Sequence, residues 1–344
     1  MKLPRIYLGT MTFGWDQAST FVDSSIAISM VSVFASSGHT HIDTARIYSS
    51  GACEAIVASS ISNYPNLLIG TKAHPSEGKG LSTRGIQEQF STSTAALKLK
   101  TVEEYYLHQP DTSNDLLESL IEADKMVKSG TIKKIGLSNY HSSEVQRAFD
   151  LCSSHNLTPP TLYQGIYNPL NRMIEEDLIH VLRNNDCAFI AYNPLAAGLL
   201  TGRHTAPPDS SEIVPGRFKN NPNYLPRFYT TENFQALKTI IDACENHEIE
   251  ITDASYMWLL RYSVLGENDG LLIGASSLGQ LEGNLKACKE AEEGELPEEV
   301  LEAMNNAWEI TKEGAFPYWR SYSKDMPGRE DLDQGASYSA NKTK

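Results

Sequence analysis

The 344-residue sequence has no Cys-x-x-Cys pair, no Gly-x-Gly-x-x-Gly and no Walker A segment, and no apolar run approaches about 18 residues. Each absence removes a class of protein. Without a long apolar run no membrane-spanning helix is expected, and the start, MKLPRIYLGTMTFG, lacks the apolar core of a secretory signal. The cysteines (Cys53, Cys152, Cys187, Cys244 and Cys288) are odd in number and widely spaced. They read as reduced thiols of a cytoplasmic protein, not as disulfides or a zinc site, and no metal is expected. The missing glycine fingerprint argues against a Rossmann dinucleotide domain. Basic residues are scarce, 29 against 43 acidic ones, for a net charge of −14. Neither nucleic acid nor an anionic membrane is therefore an expected partner, and an anionic ligand would have to be held by a few local cations.

What is present is a regular alternation of short apolar runs and longer amphipathic stretches. Strands are predicted near 5–10, 39–43, 67–71, 104–108, 133–138, 161–165, 187–192 and 270–275. Between them, Ile26, Met30, Val33 and Phe34 recur at helical spacing up to Gly38, and Leu116, Leu117, Leu120, Ile121, Ala123 and Val127 do so up to Gly130. Further helices are predicted over 82–99, 141–153, 173–185, 232–247 and 279–291. Eight strands in alternation with helices predict a closed (β/α)8 TIM barrel in a single domain over 1–320. An open doubly wound sheet with a second domain is the alternative. Residues 203–229 form a long stretch rich in Pro, Gly and Asn, expected to be a functional substrate loop. Residues 321–344 are polar and are expected to be a disordered C-terminal tail.

In such a barrel, chemistry collects where strands end, at the C-terminal face. The second strand ends at Asp43, with Tyr48 just beyond; the third ends Thr71-Lys72; the fourth ends Leu107-His108. Singly, each has a commonplace role: an aspartate caps a helix, a tyrosine packs, a lysine or histidine closes a strand. Together on three consecutive strand ends they suit carbonyl reduction, which needs a hydride for carbon and a proton for oxygen. A phenol of pKa ~10 is a poor acid near neutrality. An ammonium at Lys72 would lower that value, Asp43 would hold the ammonium, and His108 would orient the carbonyl. Later strand ends carry Ser138, Asn139 and Gln164, amide and hydroxyl groups suited to a carboxamide such as nicotinamide. Tyr192 and a glycine-bearing loop follow, suited to a stacked ring and a close pyrophosphate. After the eighth strand, Gly274, Ser276 and Ser277 precede Gln280 and Asn284 at helical spacing. Hydroxyls and N–H groups at a helix start make an anion site, or the serines merely cap that helix.

From about residue 3 to residue 320 the chain resembles the aldo-keto reductases, and within them the aflatoxin-aldehyde reductase branch. The motifs that carry this are Gly38-His-Thr-His-Ile-Asp-Thr-Ala-Arg-Ile-Tyr48, Thr71-Lys72, Tyr106-Leu-His-Gln-Pro-Asp111, Gly136-Leu-Ser-Asn-Tyr140, Asn193-Pro-Leu-Ala-Ala-Gly-Leu-Leu-Thr-Gly202 and Gly274-Ala-Ser-Ser-Leu-Gly-Gln280. The resemblance implies NADPH-dependent reduction of aldehydes or ketones, with NADP(H) extended across the strand ends. It implies a catalytic tetrad of Asp43, Tyr48, Lys72 and His108, with Asp43 also near the cofactor. Ser138, Asn139 and Gln164 would hold the nicotinamide amide and Tyr192 would stack on its ring. Asn193, Pro194, Leu195, Gly198, Leu200, Gly202 and Arg203 would form the pyrophosphate loop, with Arg217 a further contact. Gly274, Ser276, Ser277, Gln280 and Asn284 would surround the adenosine 2′-phosphate, and the lack of an acid over 274–280 agrees with NADPH over NADH. Substrate would meet Trp15, Tyr48, His108, Tyr224, Arg227 and Arg320; an acidic or dicarbonyl compound is implied. Pro226 before Arg227, and the 24 residues after Arg320, depart from the branch. The branch includes homodimers. Two other readings share the family: a weakly active regulatory subunit like the potassium-channel β subunits, and an alcohol dehydrogenase of a secondary-metabolite pathway.

Overall fold

The computed structural model describes residues 2–204, 213, 217–219, 221 and 223–336. Eight strands close into a parallel barrel in sequence order. They are β1 (Arg5–Gly9), β2 (His41–Asp43), β3 (Leu68–Ala73), β4 (Val102–Leu107), β5 (Ile132–Ser138), β6 (Leu162–Ile166), β7 (Ala188–Tyr192) and β8 (Gly270–Gly274). Closure is made by β1 against β8, in register from Arg5↔Gly270 to Gly9↔Gly274. That pairing excludes the open sheet considered as an alternative.

Each strand is short and almost wholly buried, as barrel strands covered on both faces must be. Inside the barrel, Tyr7, Tyr106, Leu162 and Ile190 form their own cluster. Tyr7 and Tyr106 each donate a phenolic hydrogen bond to the buried Glu104, at 2.9 and 2.8 Å. Glycine makes room for these rings: a Cβ at Gly136 would stand 2.1 Å from the Tyr106 ring. The larger core lies between barrel and outer helices, where Met30, Val31 and Phe34 of Ser24–Ser36 and Leu116, Leu120 and Ala123 of Leu116–Lys128 are buried.

Helices form at Ser24–Ser36, Thr83–Leu97, Leu116–Lys128, Ser142–His155, Leu178–Asn184, Thr231–Asn246 and Leu278–Glu290, matching the sequence pattern. Among the described residues four more were not marked by it: Ala52–Ile61, the four-residue Leu225–Phe228, Ile251–Arg261 and Glu298–Thr311.

The expectation of a disordered tail from residue 321 is corrected for residues 321–336, which pack on the barrel. Tyr322 and Ser323 are buried. Asp325 pairs with Arg147 at 2.5 Å and accepts from Leu116 N at 2.8 Å, and the Ser323 N–H donates to Glu144. The segment then turns back, with Ala336 N donating to Trp319 O at 2.8 Å. Backbone and side-chain hydrogen bonds supply what the polar composition cannot supply by apolar burial. Residues 337–344 of the expected tail lie outside the described residues, as do 205–212, 214–216, 220 and 222 of the long 203–229 stretch.

Candidate active site

The ends of the strands surround one cleft of about 1360 Å³. Ordinary small-molecule sites occupy about 300–1,000 Å³, so this one has room for two ligands together.

Its floor is built from three adjacent strands. Lys72, in β3, is fully buried, and its ammonium donates to Asp43 Oδ1 at 2.5 Å and to Thr44 O at 2.8 Å. Asp43, the last residue of β2, also accepts from Gln164 Nε2 at 2.8 Å. Breaking such a buried pair would leave an uncompensated charge, so the geometry is held firmly. Tyr48 stands in the turn that follows. Ser49, Ser50 and Gly51 take φ of 50°, 51° and 94°, three left-handed residues in succession. Its positive φ favours glycine at position 51, and the Arg46 guanidinium occupies the space a Cβ there would take. Arg46 pairs with the buried Glu54, which in turn accepts from Thr71 Oγ1 at 2.7 Å. The turn bearing Tyr48 is thereby tied to the residue before Lys72, and the Lys72 ammonium lies 5.2 Å from the Tyr48 ring centroid.

His108 directly follows β4. Its N–H donates to Ala73 O at 2.9 Å and its carbonyl accepts from Asn139 Nδ2 at 2.8 Å. The ring stands edge-on to Tyr48 with centroids 5.8 Å apart. Enclosure by the cleft walls, then His74, Lys72 and Arg320, pushes its pKa well below the usual 6.5, so the imidazole is neutral.

The expectation that Lys72 lowers the Tyr48 pKa is corrected. Desolvation, followed by the Asp43 carboxylate, pushes the phenol well above 10. An ammonium paired with a carboxylate at 2.5 Å presents little net charge, so burial wins. The phenol therefore keeps its proton across neutral pH.

Around this floor the other sequence-predicted residues take their places. Ser138, Asn139, Gln164 and Tyr192 all line the cleft. Asn139, at φ 62°, donates to Ser138 Oγ and accepts from the Tyr192 hydroxyl at 2.9 Å, which fixes the Tyr192 ring. In the next loop Asn193, Ala196, Ala197 and Gly198 have φ of 62°, 48°, 59° and 112°. The run closes on itself: Ala196 N and Ala197 N donate to Asn193 O and Oδ1 at 3.0 and 2.6 Å, and Gly198 N donates to Leu195 O at 2.8 Å. Asn193, Pro194, Leu195, Gly198 and Arg203 line the cleft. Leu200 and Gly202 do not; the Leu200 side chain is in the core.

After β8, Gly274 has no atom within 4 Å of where a Cβ would stand, nor has Gly283, and both line the cleft. Side chains there would fill a space fit for a ligand. Ser276 gives both its N–H and Oγ to Gln280 Oε1, at 2.9 and 3.0 Å, and Asn284 donates to Gly274 O. Ser277 caps Leu278–Glu290 by accepting from Gln280 N, and it does not itself line the cleft. Glu250 and Asp253 line the same cleft from the start of Ile251–Arg261, which a scan of 274–280 alone could not reveal.

At the other end Trp15 and Tyr224 face each other at 6.3 Å, with the Arg217 guanidinium 5.5 and 5.3 Å from the two rings. Pro215 and Gly216, which precede Arg217 in the sequence, lie outside the described residues. Pro226 stands in the first turn of the short helix Leu225–Phe228, where a proline is tolerated. Arg227 lies 5.5 Å from the Phe316 ring. Arg320 donates its backbone N–H to Asn139 O at 3.0 Å and its guanidinium to Gln109 at 3.3 Å. Burial lowers its pKa to about 10. Trp15, Tyr224, Arg227 and Arg320 all line the cleft. Sequence reasoning missed His74, Phe316, Ser321, Gln334 and Ala336, which line it too. His74, directly after β3, carried the same strand-end signal as His108.

A closed parallel barrel with a tyrosine, a neutral histidine and a buried lysine–aspartate pair at its C-terminal mouth defines a carbonyl reductase scaffold. Residues 5–309 match the sequence profile of the Aldo/keto reductase family, and the chain belongs to that family. It is 35% identical to aflatoxin B1 aldehyde reductase member 2 of Mus musculus, over 92% of this chain and 88% of that protein. It is 33% identical to aldo-keto reductase family 7 member A3 of Homo sapiens, over 92% and 97%. It is 35% identical to oxidoreductase sirO of Leptosphaeria maculans, over 80% and 84%. Members of this family are oxidoreductases of small carbonyl compounds that generally use nicotinamide cofactors. Among the described residues no helix is long and apolar enough to cross a membrane, and no cluster of side chains could hold a metal.

Proposed function

We propose that this enzyme reduces an aldehyde or ketone to the alcohol with NADPH, and that Tyr48 gives the proton to the carbonyl oxygen. The observation that carries this is the joint position of Tyr48, His108 and the Lys72–Asp43 pair beneath a cleft roomy enough for cofactor and substrate. The nicotinamide, when bound, supplies the hydride. The chain's own residues do the rest. His108, neutral, offers a hydrogen bond to the carbonyl oxygen and orients it. Tyr48 holds its proton until the oxygen becomes alkoxide-like, a base strong enough to take it even from a phenol above 10. Lys72, held by Asp43 and by Thr44 O, fixes the floor against which the Tyr48 ring stands, 5.2 Å from its centroid.

Ser138, Asn139 and Gln164 would hold the carboxamide. One Gln164 N–H goes to Asp43, which orients the amide and leaves its oxygen and second N–H for the carboxamide. Tyr192 would stack on the ring, Asn193 to Arg203 with Arg217 would cradle the pyrophosphate, and Gly274, Ser276, Gln280 and Asn284 would receive the adenosine. Arg227 and Arg320, with Tyr224 and the Trp15 wall, would grip an acidic or dicarbonyl substrate. The five buried free thiols support a reducing, cytoplasmic setting.

A panel of aldehydes offered with NADPH and with NADH tests the proposal. Reduction with NADPH is expected. No oxidation of either cofactor with any carbonyl would overturn it, and tight binding without turnover would favour the regulatory reading. Glu250 and Asp253 favour a second reading of the cofactor, since carboxylates repel a 2′-phosphate and accept from a 2′-hydroxyl. Equilibrium titration with NADP+ and NAD+ separates the two; tighter binding of NAD+ would refute the NADPH preference.

A further inference from the structure

His74 follows the last residue of β3, two positions after Lys72, and lines the cleft. Its backbone is clamped from both sides by one side chain. His74 N donates to Gln89 Oε1 at 2.8 Å, and Gln89 Nε2 donates to His74 O at 3.2 Å. Its ring is clamped as well. The Ser76 backbone N–H donates to His74 Nδ1 at 3.1 Å, and the Ser76 hydroxyl lies 2.7 Å from the same atom. A backbone N–H can only donate, so Nδ1 carries a lone pair and the neutral ring's proton sits on Nε2. Gln109, whose side chain interacts with this ring, accepts from Arg320 at 3.3 Å. His74 is thus a fixed side chain, held by two elements of the cleft wall.

The ring stands edge-on to His108, with centroids 5.1 Å apart and planes at 89°. His108 itself is poorly held by hydrogen bonds. Its Nδ1 is buried and has no hydrogen-bond partner among the described residues. A working histidine is ordinarily oriented through its second nitrogen, by a carboxylate or carbonyl that fixes ring and tautomer. That device is missing at Nδ1. What flanks the His108 ring is Tyr48 on one contact and His74 on the other.

We infer that His74 is the positioning residue for His108: its clamped ring, packed edge-on, holds the His108 imidazole toward Tyr48 where a hydrogen bond to Nδ1 would otherwise do so. The ring acts by shape and exclusion of water, so an unclamped aromatic of similar size should serve and a small side chain should not. This deepens the reading of His108 as the group that orients the carbonyl.

The test uses His74→Phe, His74→Ala and His74→Asn in the full chain, with two readouts. One is steady-state reduction of a simple aldehyde. His74→Phe should keep kcat within about twofold, while His74→Ala and His74→Asn should lose about tenfold, because small misplacements of a catalytic group are costly. NADP+ binding should stay unchanged in all three. The other readout is the NMR titration of histidine ring carbons. In the wild type His108 should titrate well below the ordinary imidazole range, whereas in His74→Ala and His74→Asn water reaches the ring and its titration should move up toward about 6.5. His74→Asn, polar but smaller than the imidazole, keeps the test open if His74→Ala fails to fold. Equal loss in all three variants would overturn the packing role, since it would mean the imidazole itself is needed. Wild-type turnover with a silent His108 in the Ala and Asn variants would overturn the inference outright, as would lost turnover without a change at His108. Should the wild type reduce no carbonyl, the NMR arm still decides the contact.

Discussion

At the residue scale the site works by burying charges in pairs and leaving single groups neutral. Lys72 and Asp43 cancel at 2.5 Å, while Tyr48 and His108 are pushed away from ionisation in opposite directions, up and down. The sign of the pH dependence follows. Both groups keep their working form between the depressed imidazole and the raised phenol, so kcat/KM should be flat from about pH 6 to 9, where unperturbed groups would titrate. A pH–rate profile of the free enzyme checks this; a fall centred near 6.5 would show His108 to be ordinary. Lys72→Met should cost about 3–5 kcal/mol of stability in urea unfolding, because Asp43 is left buried without its partner. The four residues Asp43, Tyr48, Lys72 and His108 were legible because the strand ends of a barrel must converge. The direction of the Tyr48 shift was not, because burial depends on walls contributed by residues far along the chain. His74 was legible by the same rule and was passed over.

At the scale of elements, all eight strands fall within about two residues of where the apolar runs put them. The helices that escaped notice have physical reasons. Ala52–Ile61 is rich in Ala and Ser and shows no strong apolar stripe. Ile251–Arg261 buries seven of its eleven residues and so loses its polar face. Glu298–Thr311 was readable, since Val300, Ala303, Met304, Ala307 and Trp308 repeat at helical spacing behind Pro297 and two glutamates. The interior of the barrel was not readable, because nothing local says that Gly136 faces the Tyr106 ring. Gly136→Ala places a methyl 2.1 Å from that ring. It should cost about 1–3 kcal/mol or more by overpacking. Unchanged thermal stability in that variant would contradict the packing described.

At the scale of the whole molecule, closure of β8 on β1 gathers residues 9 to 320 around one mouth, and the segment 321–336 then folds back over its edge. Composition marked that segment as a tail because its ties are polar and long-range, between partners more than 170 positions apart. Asp325→Ala, which removes both the Arg147 pair and the bond to Leu116 N, should lower stability by about 1–3 kcal/mol, measured by thermal unfolding. The most direct test of the central claim is the rate of carbonyl reduction by Tyr48→Phe, with NADP+ affinity measured alongside. The account predicts a loss of about a hundredfold or more in kcat, with cofactor affinity preserved. Reduction at the wild-type rate would contradict it.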